Sequence, residues 1–342
     1  MSLSVMRAKK RKPTLKDVAS KAGVSISAVS QILNDRTVNF CSEEKKELVK
    51  QAAKELNYQP NFGYRVMTGM KTNTVGMVFA LERIKNEEHI TRLAMALTSK
   101  LDERGLSVYM ATMGPESTDN FNKVLDLVNR GCSSFIFIGS PFGSEKMENY
   151  FEAHDIHYIG YNAFELKRTI SVESSIAIKA FIDRFLEQER RNFKLLVPLI
   201  NQGHGRLAGL FKAFPHENEN ELIRKYCVSM PSAGVNESLQ DIYTISYERT
   251  RKIMEADNSI NGIIYLSDYY ALVGAKYLLD NGYVVGKDVA VCGYNNTNAA
   301  RFFPYPVSTA DHNIPKLCDG LISELDSQSP LKQNYEPETI LR

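Results

Sequence analysis

The chain is predicted to belong to the α/β class, with a small all-α helix-turn-helix head in front of a two-lobed, doubly wound core. Three observations predict this. Residues 14–34 carry two short amphipathic helical patterns joined at a glycine, and from residue 74 onward apolar runs alternate with amphipathic helical stretches. Charge divides at the same place: residues 1–73 hold 14 Lys and Arg against 6 Asp and Glu, a net of +8, while residues 74–342 hold 28 against 34, a net of −6. The formal +2 of the 342-residue chain therefore conceals a basic head. Basic density of this kind binds phosphate by releasing counterions, with little sequence information.

In the first helix Leu15, Val18, Ala19 and Ala22 recur at helical spacing and bury one face. Gly23 can adopt the left-handed backbone that closes a helix, and Ser25 stands where a hydroxyl caps the next. In the second helix Val29, Ile32 and Leu33 supply the buried stripe, leaving Ile26, Ser27, Ser30 and Gln31 on the outer face, within reach of base edges in a DNA major groove. A third helix is expected from about Ser42, with Glu43 and Glu44 in its first turn and Leu48, Val49, Ala52, Ala53 and Leu56 on its inner side. Arg7, Lys9, Lys10, Arg11 and Lys12 make residues 1–13 a basic arm.

Residues 14–34, followed by Ser42-Glu43-Glu44, Asn57-Tyr58-Gln59-Pro60-Asn61 and Thr68-Gly69-Met70-Lys71-Thr72-Asn73-Thr74-Val75-Gly76, resemble the head and linker of the lactose/galactose repressor family. Order and spacing agree, apart from a few extra residues in the Asp35–Phe40 turn. The resemblance implies a DNA-binding head at 14–60, a hinge helix and linker at 61–73 and an effector-binding and dimerisation core at 74–342. It implies that the hinge, about Asn61–Thr68, inserts an apolar wedge from each protomer into the minor groove, with Met67 in the place of the family's leucine. Short and containing Gly63, that segment is expected to become helical only on DNA and in a dimer. Tyr64 stands where the family has a small residue. Gln31 stands where it has arginine, and since Gln reads adenine bidentately an operator with A·T character is expected there. Ile26 and Ser27 set neighbouring base preferences, while Thr14, Ser25, Ser30 and Asn34 hold phosphates.

Beyond residue 73, Thr74–Ala80, Leu106–Ala111, Phe135–Ile138 and Ile156–Gly160 read as buried strands, separated by helices near 88–104, 120–130 and 145–154. A second series has strands at Lys194–Leu199, Gly262–Leu266 and Val289–Gly293, with helices near 176–189, 205–214, 248–256 and 269–281. By the resemblance, the two lobes are built like periplasmic sugar-binding proteins and the chain crosses between them near 172, 310 and 336. Lobe one is then 74–172 with 311–335, and lobe two 173–310 with 336–342.

Two open sheets whose carboxyl ends face each other make a cleft for a small effector. The resemblance places Arg206, in Gly205-Arg206-Leu207-Ala208-Gly209, at a sugar hydroxyl or an effector carboxylate. Asp268 sits at a strand-to-helix turn where it would cap the helix, and its family counterpart lies at the cleft. The other pocket positions depart from the sugar-reading pattern: Ser267 replaces an asparagine, Asn295 and Asn162 replace aspartates, and His312 replaces a polar amide. Amides for carboxylates remove negative charge, which suits a neutral or anionic ligand. His89, after the first strand, is a further candidate for the cleft rim, and Phe302, Phe303 and Tyr305 are candidates to stack on a ring.

The chain has no Gly-Lys-Ser/Thr phosphate loop, no His-Glu-x-x-His, no Cys-x-x-Cys and no Gly-x-Ser-x-Gly elbow, which argues against an enzyme, a metal site or a cofactor. Cys41, Cys132, Cys227, Cys292 and Cys318 are scattered and read as reduced packing residues. No apolar stretch follows the basic start, so a cytoplasmic protein without a membrane partner is expected. The reading is a dimeric repressor of carbohydrate-related genes on a pseudo-palindromic operator, controlled by a sugar or sugar derivative. An activator or dual regulator, or a non-sugar effector, is the alternative.

Overall fold

The computed structural model describes residues 11–33, 42–59, 63, 65, 72–80, 87–114, 116–198, 205–230 and 239–342; the expectations for Asn34, Tyr64, Met67 and the arm before residue 11 lie outside them. The chain forms two compact units, Met1–Thr72 and Asn73–Arg342.

The first unit holds α1 (Leu15–Ala22), α2 (Ile26–Leu33) and α3 (Glu43–Glu55). Each start is set by a short polar side chain. Thr14 and Asp17 form a reciprocal capping box at α1, Ser25 Oγ accepts from the Ala28 N–H at 3.1 Å, and Ser42 Oγ accepts from Lys45. Gly23 closes α1 at φ 66°, a conformation that glycine adopts without steric cost. Val18, Ala19, Val29, Ile32, Val49, Ala52 and Ala53 form the shared core. Leu48 is not part of it and is 51% exposed. Val49, Ala52, Ala53 and Leu56 occupy the i, i+3, i+4, i+7 stripe, and Leu48, one residue earlier, is turned about 100° away from Val49. Of the expected hinge only Gly63 and Arg65 are described, both with helical backbone, and the expectation that it becomes helical only on DNA falls otherwise outside the described residues.

In the second unit, β1 (Thr74–Phe79), α4 (Glu88–Glu103), β2 (Ser107–Thr112), α5 (Ser117–Asn129), β3 (Ser134–Ile138), α6 (Ser144–Ala153), β4 (His157–Tyr161) and β5 (Arg168–Val172) follow one another. The chain then continues through α7 (Ser174–Glu187), β6 (Phe193–Val197), α8 (Gly205–Ala213), α9 (Glu219–Tyr226), β7 (Cys227–Ser229), α10 (Leu239–Ala256), β8 (Gly262–Ile264) and α11 (Asp268–Asp280). Last come β9 (Ala290–Cys292), α12 (Asn298–Phe302), β10 (Val307–Asp311), α13 (Ile314–Ser323), β11 (Leu331–Tyr335) and β12 (Glu338–Ile340).

Two six-stranded sheets result, ordered β11-β5-β4-β3-β1-β2 and β12-β10-β9-β8-β6-β7. The described pairings are parallel except β10 with β12. Parallel strands need cover on both faces, and each sheet has two apolar layers. In the first, Leu93, Leu97, Leu317 and Leu321 cover one face, and Val124, Met147 and Phe151 the other. In the second, Ala271, Ala275 and Leu278 lie on one side, and Ile178, Phe181, Leu207 and Leu210 on the other. The chain passes between the sheets after Val172, Asp311 and Tyr335, so β11 and β12 complete opposite sheets. Buried Arg168 ties the end of α13 to β4, donating to Tyr158 O at 3.0 Å and Glu324 O at 2.9 Å.

α7 and α8 approach closely, because Gly209 has no side chain to hold them apart: a Cβ there would stand 2.6 Å from Ile178 Cβ and 2.7 Å from Ser175 O. This packing carries Arg206, in the first turn of α8, toward the ends of the strands.

Candidate nucleic-acid interface and effector cleft

On the head, the side of α2 away from the core presents Ile26, 48% exposed, with Ser27 exposed and Gln31 half-buried. Ser30 is half-buried, and Thr14 and Ser25 are exposed at the starts of α1 and α2. Thr14 Oγ1 donates to Asp17 Oδ2 at 2.7 Å, so its proton is engaged within the capping box. Ser25 Oγ accepts its capping bond and keeps a proton to donate. Hydrogen bonds from Thr14, aided by the Arg11 guanidinium 3.0 Å away, hold the Asp17 carboxyl below the usual carboxylate range.

In the second unit, the ends of β4, β9 and β10 converge with the start of α4. His312, just after β10, is buried, with Nδ1 2.9 Å from Tyr161 Oη and Nε2 2.9 Å from Asn295 Oδ1. An amide oxygen only accepts, so Nε2 carries the proton and Tyr161 donates to Nδ1. Asn295 Nδ2 in turn faces Glu87 Oε2 at 3.4 Å. The His89 ring stacks on His312 with centroids 4.9 Å apart and an 11° interplanar angle. Burial, reinforced by His89, Arg206 and Arg92, pushes the His312 pKa well below its ordinary value, so the imidazole is neutral.

Tyr294 and His312 make an edge-to-face pair, 5.4 Å between centroids, and the Arg206 guanidinium lies over the Tyr294 ring, 5.0 Å from its centre. Burial raises the Tyr294 hydroxyl to about 12 and keeps it protonated. The two sheets are also joined directly across this region. Arg92 Nη1 donates to Asn296 O at 3.2 Å, and the Asn298 N–H donates to Glu88 Oε1 at 3.0 Å.

The structure thus brings His89, Asn295 and His312 together, with Arg206 beside them. Asn162 adjoins the group, but its Oδ1 accepts from the Val172 N–H at 2.9 Å, and its φ of 49° shapes the β4–β5 turn. Asn295, at φ 96°, has positive φ as well; asparagine tolerates this better than most residues, which gives the amides a backbone role alongside any ligand contact.

The capping role expected of Asp268 is corrected: Ser267 occupies the N-cap position, without a side-chain capping bond, and Asp268 lies one residue inside the helix. The loop after β9 folds back over Asp268, so its carboxylate accepts from the Thr297 N–H at 2.6 Å and Thr309 Oγ1 at 2.7 Å, fully buried. Phe302 is 84% exposed, whereas Phe303 packs against the second-lobe core and lies 5.7 Å from the Tyr305 ring. Glu87, Tyr161 and Tyr294 were not singled out from the sequence. Each lies within two residues of one that was, and that adjacency was the available signal.

A family model described as bacterial regulatory proteins, lacI family, matches residues 14–61, and one described as a periplasmic binding protein-like domain matches 182–341. The chain is 27% identical over 307 residues to the transcriptional regulator RegA of Clostridium saccharobutylicum, covering 86% of each chain. It is 21% identical over 334 residues to the transcriptional repressor PurR of Actinobacillus pleuropneumoniae serotype 3, covering 96% of this chain and 94% of that one. Its fold matches a Lac repressor dimer bound to operator and an anti-inducer with a TM-score of 0.73 at 19% identity, over 96% of this chain and 98% of the other. A CelR–cellobiose complex matches with a TM-score of 0.61 at 19% identity, over 96% and 99%. Among the described residues no helix is long and apolar enough to cross a membrane. With a head that matches the lacI family of bacterial regulatory proteins over 14–61 and a core that matches a periplasmic binding protein-like domain over 182–341, the chain is a DNA-binding transcriptional regulator with a helix-turn-helix head and a ligand-binding core.

Proposed function

We propose that the protein is a dimeric repressor of carbohydrate-related genes, released or engaged by a small sugar-like effector between the two core lobes. The observation that carries the reading is the exposed outer face of α2, where Ile26, Ser27 and Gln31 stand opposite the buried Val29 and Ile32. In this proposal those three read bases, Thr14, Ser25, Ser30 and Asn34 hold phosphates, and Met67 is the minor-groove wedge. The same proposal divides the chain into a head at 14–60, a hinge at 61–73 and a core from 74, and places its work in the cytoplasm.

Two heads give the contact area of a specific site, so the operator is a pseudo-palindrome. A face for the second copy lies beside the edge strand β2. Met95, 63% exposed, and Met110, 51% exposed, border a groove of about 560 Å³ with Ile90 and Phe79. The Lac repressor neighbour is a dimer on operator, and CelR binds cellobiose; both support the assignment by likeness. The effector contacts are assigned to Arg206, Asn295, His312, His89, Asn162, Ser267 and Asp268. An effector acts by favouring one arrangement of the lobes, because only differential affinity shifts such an equilibrium.

Selection of binding sites from a random duplex library by the full-length protein, followed by fluorescence anisotropy at graded salt, tests the reading. A pseudo-palindromic consensus bound at least 10³-fold more tightly than random DNA is expected, on the scale of specific protein–DNA recognition. Equal affinity for random duplex would refute sequence-specific regulation.

A further inference from the structure

The cleft's acceptors are largely engaged while a buried donor is left over. Glu87 Oε2 faces Asn295 Nδ2, both Asp268 oxygens accept bonds, Asn162 Oδ1 is held by the Val172 N–H, and Asn295 Oδ1 is held by His312. Glu173, at the first crossover, accepts from Asn334 at 3.1 Å and lies 3.8 Å from Lys212. Tyr294 is different: its residue is 3% exposed, and its Oη has no hydrogen-bond partner among the described residues. His89 Nδ1 is likewise buried without a hydrogen bond, 3.5 Å from Glu87 Oε2. A buried hydroxyl left unpaired is costly, and the ring that carries it lies under the Arg206 guanidinium, 5.0 Å from the ring centre. A ligand that completes this site must bring acceptors, and an oxyanion brings the most in the least volume.

We infer that the effector is a sugar-sized oxyanion, bearing a carboxylate or phosphate, and that Tyr294 Oη donates to it beside Arg206. This rests on the reading of the cleft as the effector site.

The test is calorimetric and thermal-shift titration of the full-length protein with glucose, glucuronate and glucose 6-phosphate, and with the galactose counterparts, for wild type and Tyr294→Phe. Tyr294→Phe removes one oxygen from a packed ring. The expected result is one anion bound at least tenfold more tightly than its neutral parent, with affinity that falls as NaCl is added and drops about tenfold in Tyr294→Phe. Whether the uronate or the phosphate binds distinguishes the two sources of negative charge. A neutral sugar bound as tightly as its anions, or an anion bound equally by Tyr294→Phe, overturns the inference and leaves the cleft reading standing. Should Tyr294→Phe fail to fold, salt-independent anion binding by wild type overturns it. Silence of wild type across the whole panel overturns both the inference and the sugar-effector reading.

Discussion

Replacing Gly209 by alanine separates helix propensity from packing. In a helix interior, alanine is favoured over glycine by about 0.8–1 kcal/mol, so the substitution read from sequence alone should stabilise the protein. In the structure the added Cβ meets Ile178 Cβ at 2.6 Å, Ile178 Cγ2 at 3.0 Å and Ser175 O at 2.7 Å. Carbon atoms rest at about 3.5–4.0 Å, so α7 and α8 must separate by roughly 1 Å. The Ser175 contact is with backbone, and no rotamer change relieves it. Overpacking costs about 1–3 kcal/mol, and a contact with backbone places this site in the upper half of that range, about 2–3, which leaves a net loss of about 1–2 kcal/mol after the propensity gain. With a Tm shift of about 2–4 °C per kcal/mol, differential scanning calorimetry should show the core transition lowered by roughly 2–8 °C. Arg206 rides on the same helix, so effector affinity should fall in parallel. An unchanged or raised Tm would show that the helices do not pack at this separation.

Two further predictions concern charge and base choice. His312 has its folded pKa depressed well below 6.5, so the unfolded chain takes up a proton that the folded core excludes. Its contribution to stability is complete above about pH 7 and is lost as pH falls below 6.5, at up to about 1.4 kcal/mol per pH unit, until the folded pKa is reached. Denaturant midpoints from pH 8 to 5 should fall more steeply for wild type than for His312→Gln, and parallel slopes would contradict a neutral buried imidazole. Gln31→Arg should shift the selected base at one operator position from adenine to guanine, with about 1–3 kcal/mol of discrimination. An unchanged consensus would remove Gln31 from the reading face.

The parts of the fold legible in the sequence are those specified over a few residues. Thr14 with Asp17, Gly23 and Ser25 act on backbone groups within one helical turn, so both the helix ends and the helix-turn-helix motif could be read directly. The buried central strands, such as Phe135–Ile138, announce themselves as apolar runs. Strands β5, β7, β10, β11 and β12 were not identified. β11, Leu-Lys-Gln-Asn-Tyr, is an edge strand whose central residues face water, so it carries no apolar run, and its partner β5 is more than 150 residues away in the chain. Leu48 shows the same limit inside the head, where hydrophobicity alone could not tell a core position from its flank.

By itself the sequence determined a basic helix-turn-helix head on an α/β core, because periodicity, caps and charge are local properties. Tertiary structure decided which polar side chains meet. The Asp268 carboxylate is taken up by Thr297 and Thr309, while Tyr161, Asn295 and Glu87, distant in sequence, assemble around His312. Those pairings depend on where three interlobe crossings bring the strand ends, and hydrogen bonds reach only about 3 Å, so residue identity alone could not assign them.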